Sequence, residues 1–550
     1  MRKSFQYYLG ILVFSIIISI PLLLPYLHPG YFPTHDGEWV VVRLSDMFRE
    51  IRDLQIPPRY SGNLNFGYGY PLFNFAYPLP YYVGVFIHFL GFGFVDTVKL
   101  LFALTIPVSA FFMFLAAKNI WKNNYAGIIS SVLYLYFSYR LVDLFVRGSI
   151  GESFGFAIFP IIFLCLSKLI NNPKRVIFMI IGAFSFAAII LSHNIMAVLF
   201  SLSLSVFFIG NYIIHGKQIL KPFSFIVFFG FILSAFFWVP ALLEKNNILL
   251  SIVPIADRSL NFVSIKQFLF APWGYGVPTD PVNGFSYQLG WPFLVIILTS
   301  IALFIYKFYK KQKKTAELRL AITILTGIFV LILFMFPFSK PVWKLPLLSE
   351  INYPWTMLSQ LGFLSSLLAG YLVNFKYTKV IAFAAVVFAL ILYIPLAKPT
   401  NYVDKGDGYY FTNDATTTSS NELMPLWVKA LPFQRPDQKV EFISGEGSIN
   451  NLVFNSKKIS FTATNGEDSA IRINTLYYPG WQISDNNQKI TQTHDSKFGV
   501  MDIKVSKGTH NIIADFSETP LRLVSNSISI IGVIFLGLFA FKNRRSYVNC

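Results

Sequence analysis

Two charged groups in this sequence have residue types and spacings suited to acid–base chemistry beside an anion. The first is Thr34-His35-Asp36-Gly37-Glu38, which follows the apolar segment from Tyr7 to Leu27 after a short linker containing Pro and Gly. A carboxylate at a membrane surface can act as a general base when a donor hydroxyl lies within hydrogen-bond distance. Asp is also a common helix N-cap. The residues alone leave both interpretations of Asp36 open, a base or a cap.

Residues Trp39 to Leu54 are predicted to form an amphipathic helix at the membrane interface. Apolar side chains recur there at helical spacing between charged ones. The apolar set is Val40, Leu44, Met47, Phe48, Ile51 and Leu54. Arg43 belongs to this helix and His35 directly precedes Asp36. We predict that Arg43 and His35 bind substrate beside a catalytic Asp36.

The second charged group is Arg140, Asp143 and Arg147, three and four residues apart, with Glu152 five residues further on. Charges this close to a membrane are costly, so they are usually paired or functional. One interpretation is an Arg-Asp-Arg ladder that anchors a helix end. The other is that Arg140 and Arg147 bind a phosphate or pyrophosphate while Glu152 or Asp143 supplies a second acid. We favour a functional role for Arg147 and Glu152, and the structural interpretation for Asp143.

His193 and Glu244 complete the set of candidate catalytic residues. His193 lies in a tight turn between two apolar segments, and no second histidine stands at ligand spacing. It is therefore expected to cap the turn or line a site rather than bind a metal. Glu244 ends an apolar run, where it either faces the same compartment or pairs with Lys245. No Walker loop, dinucleotide fingerprint, paired-cysteine zinc site or serine-hydrolase elbow is present in the sequence.

The composition is that of a polytopic α-helical membrane protein. Of 550 residues, 54% are hydrophobic and 18% are aromatic, and the mean hydropathy is +0.55. Apolar runs near the length of a membrane span recur along the chain. The formal charge of +18 arises largely from Lys and Arg in short loops, which cytoplasmic positive bias explains. Nucleic acid is therefore not implied as a partner.

About twelve spans are predicted, with both termini cytoplasmic. They lie near residues 7–27, 95–117, 125–145, 156–170, 176–192, 195–214, 222–243, 291–306, 319–337, 355–374, 380–396 and 523–541. The apolar stretch from Pro80 to Leu90 is only about half the length that a bilayer requires. Treating it as interfacial makes the positive bias of the inner loops consistent along the chain, so we count it outside the set of spans.

Three domains follow from this pattern. Residues 1–396 form the transmembrane domain, with interfacial helices in the loop 28–94. Residues 397–522 form a mainly-β domain outside the membrane, because polar and apolar residues alternate and turn signals such as Asn465-Gly466 and Lys507-Gly508 punctuate the segment. Residues 523–550 form a last span and a basic cytoplasmic tail. Trp481 is expected to pack in the β-sandwich core more readily than to stack on a sugar.

Several motifs together resemble one group of bacterial membrane proteins. They are Thr34-His35-Asp36-Gly37, Gly67-Tyr68-Gly69-Tyr70-Pro71, Arg147-Gly148 with Glu152, Leu191-Ser192-His193, Phe237-Trp238-Val239-Pro240 with Glu244, Tyr353-Pro354-Trp355, and Thr416-Thr417-Thr418 to Asn421-Glu422-Leu423-Met424-Pro425. The chain resembles the family named for a 6-pyruvoyl-tetrahydropterin synthase-related domain. Its architecture is similar to the GT-C class of glycosyltransferases, and nothing in it resembles the soluble pterin enzyme.

The resemblance to GT-C enzymes implies a multi-span transferase that takes sugars from polyprenyl-phosphate carriers. In that class an acid in the first outer loop serves as base or associates with a metal, and Asp36 is the match. Glu152 or Asp143 would correspond to a second acid in the next outer loop. Relatives often carry Arg after the Pro-Trp pair, where this chain has Thr356. The role of that arginine therefore does not carry over.

The leading hypothesis is a sugar transferase in the plasma membrane of a bacterium, with its β-domain outside. Its expected partners are membrane lipid, a polyprenyl-phosphate sugar donor and a cell-envelope glycan or lipid acceptor. A divalent cation such as Mg²⁺ or Mn²⁺ is left open, since the sequence shows no dedicated cage. The alternatives are a flippase for lipid-linked glycans, which would need charges spread through the depth of several spans, or a non-catalytic envelope glycan-binding protein.

Overall fold

The computed structural model describes residues 2–277, 280, 283–313, 315–346 and 348–543. A helical membrane part is followed by antiparallel β-sheets and a last helix, which is the predicted fold class. The helices are α1 (Arg2–Leu27), α2 (Gly37–Arg52), α3 (Leu72–Phe75), α4 (Leu79–Phe89), α5 (Phe94–Trp121), α6 (Asn124–Leu135), α7 (Ser138–Val142), α8 (Ile150–Asn171), α9 (Val176–Ser192), α10 (Asn194–His215), α11 (Leu220–Leu233), α12 (Ala235–Leu243), α13 (Ile265–Leu269), α14 (Trp291–Tyr309), α15 (Ala316–Met335), α16 (Leu358–Leu372), α17 (Lys376–Tyr393), α18 (Asp407–Phe411) and α19 (Pro520–Lys542). Residues 544–550 of the predicted basic tail lie outside the described residues.

The predicted count of about twelve spans is not confirmed. Within the described residues, eight helices are long and apolar enough to cross a membrane, or nine if the bent pair formed by α6 and residues 138–147 is one span. The count of eight takes residues 194–233 as a single helix. The rings of Phe208 and Phe223, however, have centroids 4.4 Å apart, whereas fifteen residues of straight helix would separate them by roughly 22 Å. The chain therefore reverses near Gly216 (φ 61°).

Helices α9 and α16 also fall short of the usual span length. They contain 17 and 15 residues, against about 20 for an untilted span. The stretch that was predicted to be interfacial forms α4, which has 11 residues. Its length is about half that of a span, as the sequence indicated.

Helix α2 follows the predicted amphipathic segment but is buried on more than its apolar face. Val40, Leu44 and Met47 are buried as expected, and the helix packs against α4 and α5. Asp46 and Glu50 are buried as well, with exposed fractions of 2% and 0%. The first loop folds back over the charged side of α2, where Gln55 and the Gly62 amide donate to Glu50 at 2.9 and 3.0 Å.

Among the residues that the structure describes, nine antiparallel strands form two sheets with the spatial orders β1-β4-β8-β7 and β2-β3-β9-β5-β6. The strands are β1 (Val440–Ser444), β2 (Gly447–Phe454), β3 (Lys458–Asn465), β4 (Ser469–Leu476), β5 (Trp481–Asp485), β6 (Gln488–Ile490), β7 (Gln492–Thr493), β8 (Val500–Val505) and β9 (Gly508–Phe516). Trp481 is buried and its ring lies 5.6 Å from that of Tyr60 and 5.5 Å from that of Phe516. It packs in the interior, as expected.

The chain between α17 and β1 packs against loops of the helical membrane part before it enters the β-sandwich. We call residues 411–425 the crossing segment. The Phe411 carbonyl accepts a hydrogen bond from Arg49 at 2.9 Å, and the Thr417 hydroxyl lies 3.0 Å from the Tyr70 hydroxyl. At the far end, the Leu249 amide donates to the Met424 carbonyl at 2.8 Å. The segment is thus held to both the first loop and the loop after α12.

Candidate active site

Asp36 and Arg147 line one cavity of about 380 Å³ at the N-terminus of α2. Two backbone hydrogen bonds fix the loops that carry them: the His35 amide donates to the Val146 carbonyl at 3.0 Å, and the Asp36 amide donates to the Arg147 carbonyl at 2.8 Å. Asp36 and Arg147 are therefore neighbours in space, although more than a hundred positions separate them in the chain.

Asp36 does not cap α2. Its side chain makes no capping hydrogen bond, and the hydroxyl of Thr34 accepts from the Gly37 amide at 2.9 Å instead. Within the described residues its carboxylate accepts no hydrogen bond. Burial raises the pKa of this half-buried carboxyl above its usual value, although the nearby Arg147, Arg43 and His35 oppose that shift. The interpretation of Asp36 as a cap is therefore wrong, and its role as a base stays a prediction.

Two glycines next to Arg147 allow its loop to approach the loop of Asp36 and the turn of His193. Gly148 has φ 65°, and a Cβ there would collide with the hydroxyl of Thr34. A Cβ at Gly151 would collide with the Ser192 carbonyl and would lie 2.8 Å from the ring of Tyr77. A larger side chain at either position would push the loop of Asp36 or the turn of His193 away from Arg147.

Arg147 is held from behind with part of its guanidinium left free. Its Nη1 donates to the Tyr139 hydroxyl at 2.8 Å and forms an ion pair with Glu152. The guanidinium also lies over the ring of Trp355, 4.9 Å from its centroid. Its Nε and Nη2 make no hydrogen bond within the described part of the chain. These donors remain for an anion in the cavity.

Glu152 lies behind Arg147 and does not line the cavity. Its side chain is only 1% exposed, and it also accepts a hydrogen bond from the Tyr139 hydroxyl at 2.9 Å. The sequence proposed Glu152 as a second catalytic acid. The structure places it where it orients the guanidinium of Arg147.

Arg140, predicted to bind substrate, points away from the cavity. Its Nη1 donates to Asp143 at 3.2 Å and its Nη2 donates to the Thr105 hydroxyl at 3.1 Å. Both Arg140 and Asp143 are buried, at 1% and 0% exposed. The two arginines were expected on one helical face, but residues 143–147 form a π-helical turn, whose wider spacing rotates Arg147 away from that face. The ladder interpretation therefore describes Arg140 and Asp143.

His193 both caps a helix and lines the cavity. Its Nδ1 accepts from the Met196 amide at 3.2 Å at the start of α10, so the ring proton is on Nε2. Burial lowers the pKa of His193 to about 4, and the ring is therefore neutral near pH 7. Tyr77 stacks on it with centroids 5.1 Å apart. A neutral imidazole held in this way offers one N–H donor.

His35 and Arg43 also line the cavity, and both are held by residues distant in the chain. His35 Nε2 donates to the Tyr275 carbonyl at 2.9 Å. Arg43 Nε donates to the Thr417 hydroxyl at 3.1 Å, and its Nη2 donates to the Thr417 carbonyl. The crossing segment thus orients Arg43 as Glu152 orients Arg147.

Sequence reasoning missed much of the cavity wall. The crossing segment contributes Thr418 and Glu422, and further wall residues include Trp39, Tyr77, Tyr353 and Trp355. The hydroxyl of Thr418 is buried and has no hydrogen-bond partner within the described residues, which is typical of a position that a ligand satisfies. In the sequence, only the motifs Tyr353-Pro354-Trp355 and Thr416 to Pro425 drew attention to these wall residues. The motifs did not indicate that the residues lie beside Asp36.

A family model described as a 6-pyruvoyl-tetrahydropterin synthase related domain, a membrane protein, matches residues 73–402, more than half of the chain. The chain belongs to this family. A curated relative from Lactococcus lactis subsp. cremoris (strain MG1363), named only as an uncharacterized protein, is 23% identical over 343 residues, which cover 60% of this chain and 54% of the relative. The chain thus spans about half of the length of that curated relative.

Solved structures with similar architecture include two glycosyl-transferring enzymes. The arabinofuranosyltransferase AftD from Mycobacteria aligns with a TM-score of 0.45 at 17% identity, over 74% of this chain and 28% of its own. The apo oligosaccharyltransferase of Archaeoglobus fulgidus aligns with a TM-score of 0.42 at 12% identity, over 78% of this chain and 62% of its own.

Glu244, a further catalytic candidate, lies outside the cavity. It pairs with Arg522 at 2.7 Å and accepts hydrogen bonds from Asn74 at 2.8 Å and Tyr478 at 3.2 Å. Lys245, its expected partner, pairs with Glu350 at 2.5 Å instead. Glu244 therefore joins the membrane part to the β-domain and the last helix.

A divalent cation was left open by the sequence. Among the described residues, no three His, Cys, Asp or Glu side chains converge to hold a metal ion. The cavity carboxylates are Asp36 and Glu422, and Glu422 already accepts hydrogen bonds from Ser420 at 3.1 and 3.2 Å. Within the described ranges, the side chains of the cavity thus form no dedicated metal cage.

Proposed function

We propose that the protein is a membrane glycosyltransferase that moves a sugar from a polyprenyl-phosphate carrier to a cell-envelope acceptor on the extracytoplasmic face of a bacterial plasma membrane. The observation that carries this proposal is the composition of one cavity. It holds a carboxylate without a hydrogen-bond partner among the described residues, two arginines with secured orientations and a neutral histidine. These are the groups required for removing a proton next to a departing phosphate.

Asp36 acts as the general base in this reaction. It takes the proton of the acceptor hydroxyl while the acceptor oxygen bonds to the anomeric carbon of the sugar. The bond from that carbon to the phosphate oxygen breaks, and its electron pair leaves with the lipid phosphate. A pKa raised by burial suits this role, because a stronger base accepts the proton more readily.

Arg147 and Arg43 bind the phosphate. Arg147 presents its free Nε and Nη2 donors, and guanidinium groups pair with phosphate oxygens in a bidentate way. His193 adds a neutral N–H donor, and the unpartnered hydroxyl of Thr418 adds another. The positive charge that gathers here stabilises the phosphate as negative charge develops on its bridging oxygen.

Part of the cavity wall comes from the chain that leads into the β-domain. Thr418 and Glu422 in its wall belong to the segment that leads into β1, so the reacting groups and the β-domain share one side of the protein. With basic loops assigned to the cytoplasm, that side is extracytoplasmic. An enzyme working there must take its activated sugar from the membrane.

The test is sugar transfer by purified Asp36→Asn and wild-type protein in detergent, with radiolabelled polyprenyl-phosphate sugars and an envelope extract as acceptor. Loss of a positioned base should lower the transfer rate by about 10²- to 10⁴-fold. Glu38→Gln is the matched control, because Glu38 is two residues away and pairs with Lys405 at 2.7 Å without lining the cavity. Equal transfer by Asp36→Asn and wild type would refute the proposal. Movement of labelled lipid across vesicles without any transfer would favour a flippase.

A further inference from the structure

A second and larger cleft lies at the other end of α2. Its volume is about 840 Å³, and its walls come from α2, the first loop, the chain just before β1 and the strand β2. None of its lining residues belongs to the cavity of Asp36. The cleft therefore lies at the junction between the membrane part and the β-domain.

The cleft offers polar groups that the fold does not use. The side chains of Asp437 and Gln438 are exposed and make no hydrogen bond within the described residues. Within the described residues, Arg49 donates a hydrogen bond only from Nη2, to the Phe411 carbonyl at 2.9 Å. Carboxylate, amide and guanidinium groups together can satisfy a ligand that both donates and accepts hydrogen bonds, as hydroxyl groups do.

An apolar face accompanies these polar groups. Phe454 lines the cleft and is 55% exposed; the Lys439 ammonium lies 5.7 Å from its ring centroid, and the exposed part of the ring can pack on a ligand. Leu452 lines the same wall. A wall with one aromatic ring and scattered donors and acceptors matches a sugar ring, which has an apolar face and a rim of hydroxyl groups.

Helix α2 and the crossing segment connect the cleft to the proposed active site. Arg43 lines the cavity and Arg49 lines the cleft, and six residues of helix separate them by about 9 Å. The crossing segment binds both arginines, through Thr417 and Phe411 respectively. Asp36, just before the start of α2, lies thirteen residues from Arg49, which is about 20 Å along the helix axis, so only a ligand several sugar units long could extend from the cleft to Asp36.

We propose that this cleft binds a glycan chain, namely the part of the acceptor that lies away from the reacting sugar. The inference rests on the proposed transferase function and names its acceptor as an oligosaccharide or polysaccharide. A peptide added to the edge strand β2 is the competing occupant. That edge has a register shift between Asn450 and Val453, and Asn451 has φ 54°, an interruption that disfavours pairing with another strand.

The experiment measures binding of envelope polysaccharide fragments, released by mild acid and labelled at the reducing end with a fluorophore, to the full-length protein by fluorescence anisotropy. The triple variant Asp437→Ala/Gln438→Ala/Phe454→Ala should bind at least about tenfold more weakly than wild type, a loss of about 1.4 kcal/mol. In transfer assays its KM for oligosaccharide acceptors should rise while kcat and the use of single-sugar acceptors stay unchanged. Val453→Ala is the matched control, since Val453 is 68% exposed on the same strand and does not line the cleft.

The outcomes separate the two proposals. Binding of fragments that Asp437→Ala/Gln438→Ala/Phe454→Ala weakens, in a protein that transfers no sugar, would keep the glycan cleft and overturn the transferase. Undiminished binding by the triple variant would overturn the cleft even if transfer is confirmed. Capture of a labelled extended peptide in place of the fragments would also overturn it.

Discussion

At the scale of the residue, the site balances opposing effects on charge. Asp36 is half-buried, and its pKa is raised. Arg147 forms an ion pair with Glu152 on one side of its guanidinium. The buried ion pair is costly unless further hydrogen bonds support it, and the Tyr139 hydroxyl supplies one to Glu152 at 2.9 Å. Glu152 therefore determines where the free donors of Arg147 point.

Replacing Glu152 by Gln should raise the KM for the lipid-phosphate donor by about 10- to 100-fold, the cost of losing an orienting partner, with a smaller change in kcat. Steady-state transfer kinetics over a range of donor concentrations would measure the split. Ser153→Ala is the control, since Ser153 is next to Glu152 but donates to Asp143 at 2.7 Å and makes no hydrogen bond to Arg147 within the described residues. A fall in kcat at unchanged KM would instead make Glu152 the second acid that the sequence suggested.

At the scale of the element, α2 links the cavity of Asp36 to the cleft. Its N-terminal end carries the cavity residues and its C-terminal end carries the cleft residues. Between them, Asp46 is 2% exposed and neither of its carboxylate oxygens has a hydrogen-bond partner in the described residues. Burial raises the pKa of Asp46 to about 6. Such a buried carboxyl destabilises the fold once it ionises.

The sign of this effect follows from linkage. The folded-state pKa is above that of the unfolded chain, so the contribution of Asp46 is fully present below about pH 4 and is lost as pH rises through about 6. Asp46→Asn should therefore be more stable than wild type at about pH 8 and show less variation of Tm with pH, measured in detergent. Asp96→Asn, with a side chain that is 68% exposed, should leave the profile unchanged. Lower stability of Asp46→Asn at high pH would indicate a bound cation at this position.

At the scale of the whole molecule, buried ion pairs fasten the β-domain to the membrane part. Arg522 at the start of α19 pairs with Glu244 at the end of α12, at 2.7 Å, and Arg59 in the first loop pairs with Glu518 at 3.1 Å. The Tyr60 hydroxyl adds a hydrogen bond to the Leu476 carbonyl at 2.8 Å. These contacts hold the crossing segment and the cleft in a fixed relation to α2.

Glu244→Gln should lower the free energy of unfolding by about 3–5 kcal/mol, because it leaves the buried Arg522 charge without its partner. The transfer rate per folded molecule should stay near wild type, since Glu244 is outside the cavity. Thermal unfolding combined with activity normalised to folded protein checks both statements. Lys245→Gln should cost less than about 1 kcal/mol, as expected for a more exposed pair. Lost transfer at unchanged stability would restore Glu244 as a catalytic residue.

The sequence by itself determined most of the helices and strands and several of the charged and polar residues that line the cavity. Hydropathy and alternation depend on local backbone geometry, so the apolar helices, the strands of the β-sandwich and the amphipathic α2 could be predicted from spacing. Asp36, Arg43, Arg147 and His193 were found because charged and polar groups beside a membrane are few.

Only the tertiary structure decided how these groups combine. It separated Arg147 from Arg140 through a π-helical turn, paired Glu244 with a residue 278 positions away, and brought Thr418 and Glu422 to the wall beside Asp36. It also buried the side of α2 that the sequence assigned to solvent. Such pairings depend on which faces pack together after the loops close, and residue spacing within one segment does not encode that choice.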